Sequence, residues 1–221
     1  MVAKDLISET LPFLKPTDTV GIAIGYMDSF KVSHLPIVNN MEYLGLISDT
    51  SLYDLNDQKS RLENSDLTLF KPFVGIDQHI FDILGVASIY NLSVIPVVTD
   101  SNQFKGSILR GDLIKCFAKV SSISEHGGII VIEVNPRDYS MSQIAQIVES
   151  NNIKILSMFI TSPPDSSMME VTLKVNITEL SSVIRTFERY GYDVKSWVTS
   201  DDTVDQFYSE RFDMLMKYLN I

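Results

Sequence analysis

Ser33-His34-Leu35-Pro36-Ile37-Val38 and Ser93-Val94-Ile95-Pro96-Val97-Val98 carry one pattern sixty residues apart. Each is a short apolar run with a proline near its start. Proline cannot donate to a β-ladder and belongs at the first position of a strand or on an edge, so each run reads as a strand entered through its proline. The offset holds upstream, where Val20 aligns with Ile80 and Phe30 with Tyr90, and slips by one residue downstream, where Gly45 aligns with Gly106. A fixed period marks an internal repeat. Two strand–turn–strand units separated by helical patterns make a duplicated α/β module.

Upstream of the first strand, Leu11 to Leu14 are apolar and end at Pro16-Thr17-Asp18-Thr19, a turn carrying N-cap candidates. From Val20, residues Ala23, Ile24, Met27 and Phe30 fall at helical spacing. Downstream, Asn39-Asn40 supplies turn residues that tolerate positive φ, Tyr43 to Ile47 reads as the returning strand, and Thr50 to Leu55 as a short helix. Asn56 to Ser65 is polar and without periodicity, which makes it the connection between repeats. The second unit restarts with a helix on Ile80, Ile83, Leu84, Ala87 and Tyr90. Strand Val94 to Val98, a turn at Asp100-Ser101-Asn102, strand Phe104 to Leu109 and helix Gly111 to Val120 follow in the same order.

A different pattern begins after a short polar linker at residues 121–127. Ile129 to Val134 is a β-run, Ile144, Ile147 and Val148 mark a helix, and Ile155 to Thr161 is a second strand. Strand Met169 to Val175, a helix on Leu180, Val183, Ile184 and Phe187, and strand Tyr192 to Val198 complete the order βαββαβ. That order predicts a ferredoxin-like antiparallel sheet with both helices on one face. Beyond it, Val204, Phe207, Tyr208, Phe212, Leu215, Met216 and Leu219 recur at mostly three- and four-residue spacings, predicting a C-terminal helix over 200–221 with a broad apolar face. The domains expected are therefore a repeat pair at 1–120 (repeats about 1–58 and 62–120), a linker at 121–127, a βαββαβ domain at 128–199 and the terminal helix.

Composition narrows the partners. At 221 residues the chain exceeds one ordinary domain, and its 45% hydrophobic and 21% charged residues are those of a globular protein. A formal net charge of −10 with no basic stripe argues against nucleic acid, a polyanion. No apolar run reaches the ~20 residues that span a bilayer, and Met1-Val2-Ala3-Lys4-Asp5-Leu6 has no signal-peptide h-region, so no membrane role and a cytoplasmic location are expected. The single Cys116 allows no intrachain disulfide, which agrees with a reducing compartment.

The duplicated unit, with apolar-Pro-apolar-Val followed by Gly-apolar-apolar and a short helix, twice in order, resembles the CBS (cystathionine-β-synthase) domain pair. Residues 128–198 resemble an ACT domain, and the succession is similar to acetoin-utilisation-type regulatory proteins. The resemblance implies clefts for adenosine nucleotides or related ligands, namely AMP, ADP, ATP or S-adenosylmethionine. It implies binding through Gly-x-x-Ser/Thr-x-x-Asp/Asn, whose hydroxyl meets phosphate and whose carboxylate meets ribose hydroxyls. Here the motif is split. Gly45-Leu46-Ile47-Ser48-Asp49-Thr50-Ser51 keeps the hydroxyl at Ser48 and has Ser51 where the carboxylate belongs, whereas Gly106-Ser107-Ile108-Leu109-Arg110-Gly111-Asp112 keeps Asp112 and has Leu109 where the hydroxyl belongs. The second cleft is the better candidate, because Arg110 can replace a missing hydroxyl at phosphate while a ribose chelate has no substitute. In the ACT-like segment Asn135-Pro136-Arg137-Asp138-Tyr139-Ser140 lacks the glycine that lets backbone approach a bound amino acid, so no amino-acid binding is expected.

The candidate ligand-binding residues are thus Ser48, Arg110 and Asp112, with His34, Pro36 and Pro96 beside the clefts and His34 assigned to the first. Each has a plainer role open to it. Ser48 fits an N-cap, Asp112 a first-turn acid, Arg110 a solvated cation and His34 a half-exposed structural residue. His34, His79 and His126 have no second ligand at metal spacing, Cys116 sits at a packing position, and Asp201, Asp202 and Asp205 fit a solvated helix start. No nucleophile elbow, Walker loop or dinucleotide fingerprint occurs, and no catalytic residue is assigned. Two readings stand: a non-enzymatic regulatory sensor, or a structural, partner-binding dimerisation module with degenerate clefts. Wide apolar helix faces predict a homodimer, with a small-molecule effector and an effector protein as further partners.

Overall fold

The computed structural model describes residues 1–199 apart from Asn56, Asp66, Thr68 and Asp165. The helix expected over 200–221 lies outside the described residues. The chain divides into two compact units, Met1–Phe117 and the residues from Ala118 onward.

In the first unit, Thr19 caps α1 (Val20–Phe30) by accepting from the Ile22 N–H, and Lys31 ends it in the left-handed region at φ 55°. Strand β1 (His34–Asn39) pairs antiparallel with β2 (Glu42–Ser48), which runs into the short α2 (Asp49–Tyr53). The second repeat has β3 (Val74–Gly75), α3 (Ile80–Ile89), β4 (Val94–Val98), β5 (Phe104–Leu109) and α4 (Arg110–Val120), with sheet order β3-β4-β5. The duplication extends to irregularities. Register shifts fall between Ile37 and Val38 in one hairpin and between Val97 and Val98 in the other. The one-residue slip in the repeat is located in the hairpin turn, since Val38 pairs with Tyr43 whereas Val98 pairs with Phe104.

Two expectations need correction. The prolines do not begin the strands: Pro36 and Pro96 are each the third residue. Pro36 is tolerated because the neighbouring parallel segment starts its ladder at the Pro36 carbonyl. Leu14 N–H donates to Pro36 O at 2.8 Å and Val38 N–H to Leu14 O at 2.8 Å, so the N–H that proline lacks faces beyond the end of that ladder. The Val74↔Val97 register repeats the Leu14↔Ile37 bridge. In the first turn the positive-φ pair is Asn40 and Met41, at 47° and 70°, one residue later than Asn39-Asn40.

The repeats also exchange their leading segments. Residues 2–8 lie on the second repeat, with Ala3 N–H to Gln78 O and Ser8 N–H to Ser107 O, while Leu46 N–H donates to Phe70 O on the first. The bridges Val2↔His79 and Thr19↔Arg61 are counterparts. Ile7 crosses so near Gly106 that a Cβ there would meet its Cγ2 at 2.4 Å, which explains a glycine at that strand position. The cores interlock likewise: Leu46 of the first repeat is buried with Ala3, Val74, Ile80 and Ile108, and Val94 of the second with Leu14, Val20, Leu35 and Ile47.

In the second unit, β6 (Gly128–Val134), α5 (Met141–Ser150), β7 (Ile155–Thr161), β8 (Met169–Val175), α6 (Ser181–Arg189) and β9 (Asp193–Thr199) form one four-stranded sheet in the order β7-β8-β6-β9. All three pairings are antiparallel. Alternate residues Ile130, Ile132 and Val134 of β6 and Val171, Leu173 and Val175 of β8 are buried under Ile144, Ile147 and Val148 of α5 and Val183, Ile184 and Phe187 of α6. Both helices therefore cover one face, as period-two alternation in the strands requires.

Candidate ligand cleft

Ser93 sits where the two repeats of the first unit meet, and three of its polar atoms are committed there. Its Oγ accepts from the Ser33 N–H at 2.9 Å, its N–H donates to His34 Nδ1 at 3.3 Å, and its carbonyl accepts from the Arg110 N–H at 3.0 Å. Ser93 Oγ also lies 3.1 Å from His34 Nδ1. The start of β1 is thereby held against the first residue of α4. His34 is the register partner of Ser48, and its ring meets Phe70 edge-on with centroids 6.0 Å apart. Partial burial lowers the His34 pKa from the ordinary 6.5; Asp49 opposes that shift and Arg110 adds to it.

The six predicted residues fall unequally around this junction. Arg110 begins α4, and its Nη1 donates to Asn91 Oδ1 at 3.2 Å. Asp112 lies in the first turn of α4, half-exposed, and pairs with Lys115 at 3.0 Å. Ser48 is the N-cap of α2: its Oγ accepts from the Ser51 N–H at 3.2 Å and lies 2.8 Å from Ser51 Oγ and 2.9 Å from Thr50 Oγ1. Pro36 and Pro96 are buried inside their strands, opposite Leu46 and Ser107. His34, Ser48 and Arg110 are brought to one end of the unit. His34 lies opposite Ser48 of the first motif, and the Ser93 junction also sets its ring within electrostatic reach of Arg110 of the other repeat.

Sequence reasoning missed Ser93, Asn91 and Asp49. The signal for Ser93 was available, since it occupies the place of Ser33 in the repeated stretch. Two residues before Leu109 in β5, Ser107 is 3% exposed and its Oγ has no hydrogen-bond partner among the described residues. Two cavities of about 370 and 590 Å³ open at matching places in the repeats, beside Val38–Met41 and Val98–Asp100. They adjoin the C-terminal ends of β1 and β4, away from Arg110, and none of the six predicted residues lines them.

Inosine-5′-monophosphate dehydrogenase of Methanocaldococcus jannaschii is 28% identical over 118 residues, which are 52% of this chain and 22% of that relative. The chain thus spans under a quarter of the relative's length. Among solved structures, a CBS domain pair/ACT domain protein from Thermotoga maritima superposes with a TM-score of 0.49 and 20% identity, covering 54% of this chain and 98% of that one. CBSX2 in complex with AMP gives 0.47 and 19%, covering 54% and 97%. The family model of the CBS domain matches residues 3–55, the first repeat, and the second repeat reproduces the antiparallel hairpin of the first with its register shift at the equivalent position.

Proposed function

We propose that residues 1–120 are a non-enzymatic regulatory sensor for an adenosine-type nucleotide or related metabolite, with AMP, ADP, ATP and S-adenosylmethionine as the ligand class. The observation that carries this reading is the meeting of Arg110, His34 and Ser93 from two repeats at the start of an eleven-residue helix. In it, Arg110 leaves Asn91 for a ligand phosphate, Asp112 turns Oδ2 to ribose hydroxyls while its Oδ1 keeps Lys115, and His34 faces base or phosphate. Ser48 supplies a further hydroxyl, and Pro36 and Pro96 stiffen the strands behind. Residues 128–199 act as an ACT-like, ferredoxin-like module that transmits the ligand state or adds a second signal; the strand order β7-β8-β6-β9 supports that reading. The linker at 121–127, a C-terminal helix at 200–221, an effector protein as reader and a cytoplasmic location belong to the same proposal. Among the described residues no helix is long and apolar enough to cross a membrane.

Titration calorimetry with the four ligands tests it. Binding is expected in the wild type and is lost in Asp112→Ala; unchanged affinity in Asp112→Ala with loss in Ser48→Ala would mean the other cleft is used.

A second reading, a homodimerisation module with degenerate clefts, is favoured by one observation. Ser48 and Asp112 already have partners, while α1 exposes Ile22, Tyr26 and Phe30 and α3 exposes Phe81 and Ile89. Twofold pairing of such faces is the commonest outcome for identical chains. Light scattering near twice the chain mass, with no ligand-induced thermal shift, would favour this reading over the sensor.

A further inference from the structure

We infer that the His34–Ser93 junction leaves the cleft with one uncompensated cation, Arg110, and so selects an adenosine-type ligand carrying at most one phosphate. The inference rests on the sensor reading above and adds to it a specificity that the repeat motif does not contain.

Ser93 sets the hydrogen-bonding roles at the junction. Its Oγ accepts from the Ser33 N–H, which directs its own proton elsewhere, and His34 Nδ1 lies 3.1 Å away. The Ser93 N–H points at the same Nδ1 from 3.3 Å. Two donors converge on one ring nitrogen, so that nitrogen presents its lone pair and the ring proton sits on Nε2. An imidazolium would set an Nδ1–H against the Ser93 N–H. His34 is therefore held as a neutral donor, and burial together with nearby Arg110 acts in the same direction against the opposing Asp49.

The remaining charges are already compensated or of the wrong sign. Arg110 is held by a neutral amide and has no ion pair among the described residues. Asp112 and Lys115 pair with each other, and Asp49 bonds the Thr50 N–H. A first phosphate gains the Arg110 guanidinium. A second and third find no cation that is not already paired and meet Asp49, whose carboxylate has no ion pair among the described residues, which is discrimination by repulsion.

Titration calorimetry on the full chain at pH 7.5, without divalent metal, compares AMP with ATP. AMP is expected to bind about tenfold or more tightly than ATP, one decade being the scale of a single added charge contact in a partly exposed site. His34→Arg, which puts a second cation at the junction, should close that gap. Wild-type ATP binding as tight as AMP overturns the inference and leaves the sensor reading standing; no binding of AMP, adenosine, ATP or S-adenosylmethionine overturns both. A second measurement does not depend on the variant folding. Nitrogen chemical shifts of His34 at pH 7 should report a bare Nδ1 and a protonated Nε2, and a protonated Nδ1 contradicts the geometry.

Discussion

Replacing Ser93 by alanine tests the junction between the repeats, because the pseudo-equivalent Ser33 provides an internal control. Ser93 is 8% exposed, and its Oγ is the acceptor for the Ser33 N–H at 2.9 Å. Ser93→Ala leaves that amide unpaired in a part-buried place, at a cost of about 1–3 kcal/mol, and removes the hydroxyl contact to His34 Nδ1. The Ser93 N–H and carbonyl stay in place, so the net loss should be about 2 kcal/mol. For a unit of this size that lowers the midpoint by about 8 °C in calorimetry. The Ser33 hydroxyl has no hydrogen bond among the described residues, and its backbone carbonyl, which accepts from Asp49 N–H at 2.9 Å, survives substitution. Ser33→Ala should therefore cost less than about 0.5 kcal/mol. Equal shifts in the two variants, or a Ser93→Ala shift under about 2 °C, would refute the role given to Ser93.

The same junction makes stability depend on pH. The folded pKa of His34 lies below the ordinary 6.5, so between those values the unfolded chain binds the extra proton and stability falls as pH drops from 6.5 through the folded value. His34→Asn keeps an acceptor near the Nδ1 position without titrating, and denaturant midpoints between pH 7.5 and 5 should fall less in that variant than in the wild type. A parallel decline assigns the pH dependence to other groups. In the second unit, Gly127 has φ +146°, and a Cβ there would lie 1.9 Å from the Val175 carbonyl oxygen. Gly127→Ala should cost about 3 kcal/mol or more through strain and displaced backbone at the β6–β8 end, read as a lowered urea midpoint; a loss under about 1 kcal/mol would show that this end yields easily. The ACT-like segment should give no calorimetric heat with common amino acids, and a heat that persists in a chain beginning at Gly128 would overturn that expectation.

Much of the architecture was legible from spacing alone. Apolar residues at two- and four-residue intervals and turn residues between them placed β7 and β8 at their observed ends and located α1, α3 and α5, because these signals are local. The sixty-residue repeat likewise announced two equivalent units, since the same local pattern was written twice. What it could not announce is which residues of one unit serve the other. Residues 2–8 lie on the second repeat, Leu46 fills the second core, and His34 answers to Ser93 and Arg110. Pro36 was misplaced for the same reason, its tolerance depending on a parallel neighbour at Leu14 far from it in sequence. Hydrophobic periodicity specifies which face of an element is buried but not against what; that choice is made by sheets and segments distant in the chain closing a common core. The tertiary packing alone therefore decided that the candidate cleft is built across the repeats, with His34 of one bonded to Ser93 of the other and within electrostatic reach of Arg110.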